Sequence, residues 1–161
     1  MISAIVAVND DWGIGYNGDL LEHIPADLKY FKELTTDNVV VMGQNTWDSL
    51  PKKPLPNRIN IVVTYEPHAS EDACFWPMDS VKLFMKQQKG LNFFVIGGGS
   101  IYKQLLPLCD RVYVTKIYKS HENVDTYFPN LDEEEGWTCS ALGGPVEYKD
   151  FEYQFCLYER L

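Results

Sequence analysis

The stretch Phe93-Phe94-Val95-Ile96-Gly97-Gly98-Gly99-Ser100-Ile101-Tyr102 contains the pattern that decides the fold. Its four leading apolar residues are typical of a short strand that is buried on both faces of a sheet. Three glycines end that strand, and residues 100–106 are expected to form a helix. The stretch therefore predicts a strand-to-helix unit, joined by a turn where a ligand can approach the backbone closely.

Similar units occur along the rest of the chain. Apolar runs predict further buried strands at residues 2–8, 39–42, 59–64 and 111–118. Helices are predicted at residues 25–35, 45–50 and 79–88, the last with Val81, Leu83 and Phe84 facing inward. Strands that alternate with short helices imply a mostly parallel sheet that is covered on both faces.

The last part of the chain has a different pattern. Residues 137–160 alternate, with Phe151, Tyr153, Phe155 and Leu157 expected on one face, and Gly143-Gly144-Pro145 interrupts them. This pattern predicts an antiparallel hairpin. The predicted fold class is therefore α/β with three layers: a mostly parallel central sheet of about eight strands, a C-terminal antiparallel hairpin and helices on both faces. One domain is expected to span residues 1–161.

Composition excludes several classes of protein. The net charge of −9 argues against nucleic acid or an anionic membrane surface as a partner. The chain start lacks the basic region of a signal peptide, and no apolar run approaches membrane-spanning length. Four cysteines without metal-ligand spacing are expected to be reduced, mostly buried thiols, which favours a cytoplasmic location; they are Cys74, Cys109, Cys139 and Cys156. The three histidines, His23, His68 and His121, are expected at the surface.

In a parallel sheet, ligands bind at the carboxyl ends of the strands. This rule brings several turn-rich segments to one rim. They are the predicted loop at residues 9–18 with its continuation to Ile24, the start of the helix at Pro25, Gly43, Thr64 and Gly97–Gly99. A binding site is therefore expected along this rim.

Asp27 is the first candidate for chemistry on the rim. Pro25 suits the first turn of a helix, and the spacing lets Asp27, Leu28 and Phe31 share one helix face. A carboxylate beside apolar side chains can pair with the N–C–N edge of a flat heterocycle. An acid in a first turn also commonly just complements the helix dipole, so both interpretations stay open.

Two glycine turns and one arginine add to the rim. Gly43 and Gly97–Gly99 each join a strand to a helix, which suits a ligand with several phosphates, although each alone is equally typical of a tight turn. Arg58 ends a proline-rich loop and can bind a carboxylate in a bidentate manner, or it can be an ordinary surface residue. Residues 29–58 hold five basic and three acidic residues, a positive patch suited to an anionic tail.

These residues together resemble the dihydrofolate reductase family. The resemblance runs in order over essentially the whole chain, through Met1-Ile2-Ser3-Ala4-Ile5-Val6-Ala7, Ile14-Gly15, Pro25-Ala26-Asp27-Leu28, Val41-Met42-Gly43, Thr46-Trp47, Pro54-Leu55-Pro56-Asn57-Arg58, Ile96-Gly97-Gly98-Gly99-Ser100-Ile101-Tyr102 and Asp125-Thr126-Tyr127-Phe128-Pro129. It implies a cytoplasmic, monomeric oxidoreductase of one-carbon metabolism that reduces 7,8-dihydrofolate to tetrahydrofolate with NADPH. Antifolate inhibitors are implied as further ligands, and no metal is implied.

The resemblance also implies roles for individual residues. The catalytic group comprises Asp27, which binds the pterin, Thr115, which supports it, and Leu20 and Glu22 in the loop over the nicotinamide. The substrate-binding group comprises Ile5, Ala7, Asp27, Leu28, Phe31, Leu50, Leu55, Arg58 and Ile96. The cofactor-binding group comprises Ala7, Ile14, Gly15, Gly43, Gln44, Asn45, Thr46, Thr64, Tyr65, Gly97, Gly98, Gly99, Ser100, Ile101, Tyr102 and Thr126, with a cis peptide expected between Gly97 and Gly98.

The chain departs from the family pattern at two places. Glu22 stands where the family usually has tryptophan, and we expect its carboxylate to alter packing and to repel Asp27. The positions around the 2′-phosphate of the cofactor carry no basic residue, so a weaker preference for NADPH over NADH is expected. Two other functions stay open: a reductase of this fold that acts on a pyrimidine-ribose phosphate, and a catalytically weak pterin- or nucleotide-binding homologue.

Overall fold

The computed structural model describes all 161 residues. Twelve strands form two sheets: β1 (Ile2–Val8), β2 (Gly13–Tyr16), β3 (Asp19–Leu20), β4 (Val39–Gly43), β5 (Ile59–Val63), β6 (Cys74–Trp76), β7 (Phe93–Gly97), β8 (Arg111–Tyr118), β9 (Thr126–Tyr127), β10 (Trp137–Ala141), β11 (Val146–Tyr148) and β12 (Phe151–Arg160). Four helices accompany them: α1 (Pro25–Thr35), α2 (Gln44–Ser49), α3 (Met78–Gln87) and α4 (Gly99–Leu105), which a 3₁₀ turn at Leu106–Leu108 extends.

The large sheet has the strand order β10-β12-β8-β1-β7-β4-β5-β6, and β11 pairs with β12 beside this path. The neighbouring pairs from β8 to β6 are all parallel. Strand β12 runs antiparallel to β8, and β10 and β11 run antiparallel to β12. The predicted α/β class is confirmed, because parallel strands form most of the sheet and antiparallel strands complete one edge.

The core lies on both faces of this sheet, which explains the uninterrupted apolar runs. Neighbouring residues of one strand point to opposite faces. Val41 and Val95 thus belong to one buried cluster together with residues of α3 and α4, whereas Val40 and Phe94 belong to another, against which α1 packs. The central strands are therefore apolar at most positions on both sides, and the helices cover both faces as predicted.

The strand register places the functional segments at one rim. Ile2 pairs with Phe93, Val39 also pairs with Phe93, and Val39 pairs with Ile59. The ends of β1, β4, β5 and β7 therefore lie at the same edge of the sheet. Gly43, Thr64 and Gly97 follow or end these strands, so the predicted rim is confirmed.

The segment predicted as a loop at residues 9–18 instead contains β2. It forms a small antiparallel sheet with the order β3-β2-β9. Gly13 and Gly15 allow this close pairing, because a Cβ at Gly13 would lie 2.7 Å from Val124 Cγ1 and one at Gly15 would lie 2.9 Å from the Asp19 carbonyl oxygen. The glycines that indicated a turn thus serve a close backbone approach.

Two predictions about burial are wrong. Leu83 is exposed, whereas Val81 is buried and Phe84 packs against the core as predicted; the further inward position of α3 is Met85, one helical turn after Val81. Of the four cysteines, only Cys109 and Cys156 are buried, while Cys139 is exposed and none forms a disulfide. No helix of this protein combines the length and the apolar character that crossing a membrane requires.

Candidate active site

Asp27 lies in the first turn of α1, directly after the rim. Its carboxylate accepts a hydrogen bond of 2.6 Å from the Thr115 hydroxyl, which is buried on β8. Burial raises the pKa of Asp27 above its ordinary value, and the Thr115 hydrogen bond partly opposes that effect. The pairing joins α1 to the sheet and gives Asp27 a fixed orientation, while burial gives the carboxylate a greater affinity for a proton.

Apolar residues surround this carboxylate. Ile5 belongs to the buried cluster under α1, and the half-buried side chains of Phe31, Leu50, Leu55 and Ile96 pack against that cluster. The carbonyl oxygen of Ile5 accepts a 2.7 Å hydrogen bond from the buried Tyr102 hydroxyl. Ala7 packs against a smaller neighbouring cluster. The structure therefore brings most of the predicted substrate residues together on one side of the rim.

Two leucines predicted at the site are exposed. Leu28 on α1 and Leu20 on β3 expose 56% and 50% of their surface, although both are large and apolar. Exposed leucines beside a half-buried carboxylate can cover an apolar ligand and lose contact with water when it binds.

Arg58 is held in place by its own neighbours. Its Nε donates to the Pro56 carbonyl oxygen at 2.9 Å, and its Nη1 donates to the Thr35 hydroxyl at 3.1 Å. The guanidinium carbon lies 6.0 Å from the centre of the Phe31 ring. Burial lowers the pKa of Arg58, and the three N–H groups without a protein partner stay available to an anion.

The glycine turn after β7 forms the other side of the rim. Gly97 has φ +118°, and its peptide bond to Gly98 is cis, as predicted. A Cβ at Gly99 would lie 2.6 Å from Thr126 Cγ2, and one at Gly98 would lie 3.8 Å from the Thr46 hydroxyl oxygen. Thr126 of β9 therefore packs so closely against this turn that position 99 requires glycine, and Thr46 of α2 lies beside it.

The polar residues near this turn are neutral. Gln44 donates to the Asp48 carboxylate at 3.0 Å, and Gln104 donates to the Ser100 hydroxyl at 2.9 Å. Thr64 is buried, whereas Asn45 and the whole of the Tyr65 side chain are exposed. Gly43 is in contact with Ile101, because a Cβ there would lie 2.8 Å from Ile101 Cγ1. Ile14 and Gly15 lie on β2, beside β9.

Glu22 does not act as an unpaired charge against Asp27. Its Oε1 accepts hydrogen bonds from Lys119 Nζ at 3.0 Å and from His121 Nε2 at 3.1 Å. Burial opposes ionisation, but these two donors together outweigh it and lower the pKa of Glu22. The expected repulsion is therefore wrong, since the carboxylate has its own cationic partner.

His121 is the residue that sequence reasoning missed. It was expected at the surface, yet only 14% of its side chain is exposed. Its Nδ1 contacts the amide nitrogen of Asn9 at 3.0 Å, which connects it to the end of β1. The only sequence signal was that an acid, Glu22, replaces an aromatic residue and therefore requires new polar partners.

Comparisons with known proteins match the whole chain to a single family. Residues 1–160 match the family model described as dihydrofolate reductase. The dihydrofolate reductase of Bacillus subtilis is 39% identical over 99% of this chain and 95% of that relative. That of Sus scrofa is 36% identical over 99% of this chain and 97% of its own.

A solved structure has the same fold. The dihydrofolate reductase of Enterococcus faecalis, complexed with NADP(H) and RAB-propyl, superposes with a TM-score of 0.83 at 31% identity. The match covers 99% of this chain and 96% of that one.

Proposed function

The chain belongs to the dihydrofolate reductase family, and we propose that it carries out the reaction of that family at the Asp27 pocket. It reduces 7,8-dihydrofolate to 5,6,7,8-tetrahydrofolate with NADPH, as an oxidoreductase of one-carbon metabolism. The observation that carries the assignment is the part-buried hydrogen bond between Thr115 and Asp27, at the same rim as the glycine turn.

The residues around the glycine turn fit a dinucleotide. The turn at Gly97–Gly99 exposes backbone without side chains, and Thr46 and Thr126 pack closely beside it. Gly43, Gln44, Asn45, Thr64, Tyr65 and Ser100 offer backbone and side-chain donors to phosphates. When bound, NADPH supplies the hydride for the substrate carbon. Ile14 and Leu20 would cover the nicotinamide and exclude water from it.

Asp27 is proposed to bind and orient the pterin. Its carboxylate accepts hydrogen bonds from N3 and the 2-amino group, while Thr115 holds the carboxylate in position. N5 of the pterin must gain a proton during the reaction, and a water molecule next to Asp27 is the proposed donor. The raised pKa of Asp27 favours this role, because a carboxyl group with a higher pKa helps to retain a proton at the site.

The remaining substrate residues are proposed to contact the two rings of dihydrofolate and its glutamate tail. Ile5, Ala7, Phe31 and Ile96 would contact the pterin ring, and Leu28, Leu50 and Leu55 would cover the aminobenzoyl ring. Arg58 would bind the glutamate α-carboxylate with its free N–H groups. The proline-rich loop and Thr35 keep the guanidinium in one orientation, which lowers the entropy cost of binding.

The deciding experiment follows NADPH absorbance when dihydrofolate is added to the purified protein. A steady decrease that depends on dihydrofolate is expected. If a pyrimidine-ribose phosphate is the preferred substrate, the protein is instead the other reductase of this fold named above. Tight pterin binding without oxidation of NADPH would indicate a catalytically weak homologue.

A monomer of one domain, in the cytoplasm and without nucleic acid or membrane as a partner, is also part of this proposal. The net charge of −9 and the four free cysteines support it. Light scattering after gel filtration tests the oligomeric state, and thermal shift with a diaminopyrimidine antifolate tests inhibitor binding.

A further inference from the structure

We propose that Lys119 and His121 are positioning residues that hold Glu22 by hydrogen bonds. They thereby fix segment 19–24 between the two sides of the cleft at the rim, the Asp27 pocket and the Gly97–Gly99 turn. The proposal rests on the proposed function. At one end of the segment, β3 pairs with β2, whose other neighbour β9 carries Thr126 against the Gly99 turn. At the other end, α1 begins and carries Asp27.

The hydrogen-bond chain has a defined direction. Asn9 Oδ1 accepts hydrogen bonds from the backbone N–H groups of Asp11 and Gly13, at 3.0 and 2.8 Å. Its amide nitrogen must therefore be the atom that faces His121 Nδ1. An amide nitrogen only donates, so Nδ1 accepts and the ring carries its proton on Nε2. That proton is directed at Glu22, whose same oxygen also accepts from Lys119.

A second histidine–carboxylate pair in the same segment shows why this one matters. His23 and Asp19 also lie 3.1 Å apart, but their side chains are 60% and 70% exposed. The corresponding values for His121 and Glu22 are 14% and 18%. Exposed pairs contribute little because water screens them, whereas a shielded pair holds its geometry.

Glu22 is also the main tether of its segment. Of the side-chain hydrogen bonds made by residues 19–23, only those of Glu22 reach another part of the chain. A cavity of about 640 Å³, lined mainly by polar residues, separates residues 16–21 from residues 119–123. Beyond this gap, the hydrogen bonds of Glu22 are the polar link between the two segments, and Ile24 adds an apolar anchor against Ile117 and Phe151.

The position of Glu22 in the chain determines which step of the reaction its hydrogen bonds affect. Leu20 lies two residues before Glu22, and α1 begins three residues after it. Loosening Glu22 should let Leu20 move away from the nicotinamide position while Arg58, which bonds Thr35 at the other end of α1, keeps its own contacts. The rate of the chemical step should therefore fall more than the affinity for the substrate tail.

The test compares single-turnover reduction of dihydrofolate by the wild type and by His121→Phe and Lys119→Met. His121→Phe is expected to slow hydride transfer about tenfold, the lower end of what a charge-assisted hydrogen bond contributes. Lys119→Met is expected to slow it about threefold, because Lys119 is more exposed. The KM for dihydrofolate should change less than twofold, and Lys119→Arg should restore the wild-type rate.

A structural measurement accompanies the kinetics and needs no activity. Amide hydrogen exchange of peptides covering residues 16–24 should quicken in His121→Phe and Lys119→Met. His23→Phe is the matched control and should leave both rate and exchange unchanged. Unchanged exchange in both variants, or a rate equal to that of the wild type, would overturn the positioning role. A wild type without reductase activity would refute the proposed function instead, and exchange would still decide whether the tether exists.

Discussion

The two halves of the cleft differ in what they offer a ligand. The half proposed for dihydrofolate presents charged side chains that neighbours hold in place: Asp27 bonded to Thr115, and Arg58 bonded to Pro56 and Thr35. The half proposed for NADPH presents bare backbone at Gly97–Gly99 and neutral side chains. Substitution of a single charged residue should therefore strongly impair binding or turnover of dihydrofolate. Binding of NADPH should instead depend on the shape of the backbone at the glycine turn.

Asp27→Asn provides the largest test of this difference. The substitution keeps the size of the side chain and its acceptor for Thr115 but removes the charge and the proton. Turnover is expected to fall about a hundredfold or more, the effect of losing a positioned proton-transfer group. The measurement is kcat for dihydrofolate between pH 5 and pH 8. Wild-type turnover across that range would remove Asp27 from the mechanism.

Arg58→Ala should separate the two halves. Loss of a charge-assisted contact is expected to cost about 1.5–3 kcal/mol, and partial exposure of Arg58 favours the lower value, roughly a tenfold increase in KM for dihydrofolate. The KM for NADPH should stay nearly constant. Arg58→Lys serves as the control that retains charge without the bidentate geometry. An equal increase for both ligands would contradict the assignment of Arg58 to the substrate half.

The cofactor half should show a modest and salt-insensitive preference for NADPH. Neutral donors near Thr64 and Gln44 are expected to favour NADPH over NADH on the order of tenfold, because a neutral hydrogen bond is worth about half a charge-assisted one. Specificity constants for both cofactors, measured at low and high salt, test this expectation. A strong preference that collapses with salt would reveal that a lysine such as Lys52, Lys53 or Lys82 reaches the phosphate.

The smallest effect concerns stability and has opposite signs for two carboxylates. Because the folded state raises the pKa of Asp27, its ionised form is disfavoured at neutral pH, and Asp27→Asn should raise Tm there. This gain should disappear as pH falls through the raised pKa. The folded state lowers the pKa of Glu22, so Glu22→Gln should reduce Tm at neutral pH, and that loss should disappear in acid. Thermal melts from pH 3 to pH 8 test both signs.

Much of the fold follows from local patterns in the sequence. The helix at Pro25–Thr35 and the strand at Arg111–Tyr118 have the predicted bounds, because proline at a helix start and β-branched and aromatic residues in a strand are strong local signals. Strand β2 was missed because Gly13 and Gly15 indicate a turn unless one knows that Val124 and Asp19 pack against them. Val124 lies more than a hundred positions from Gly13, so no local pattern contains that contact.

The candidate site divides in the same way. Asp27, Arg58 and the glycine turn are visible in the sequence because their residue types and neighbours are distinctive. The cluster of Asn9, Glu22, Lys119 and His121 is not, since its hydrogen-bonded partners are about a hundred positions apart and each residue alone looks like a surface residue. Only the folded chain shows that the acid at position 22 has matched partners.

The place of β12 in the sheet has a consequence for synthesis of the protein. This strand, Phe151–Arg160, inserts between β8 and β10, although both precede it in the chain. While the ribosome is making residues 119–150, the outer edge of β8 has no strand to pair with and can bind another nascent chain. Folding of the Asp27 pocket, whose floor includes Thr115 of β8, must therefore wait for the last strand. Slow translation just before Phe151 should lengthen the exposure of that edge and increase the demand for chaperones.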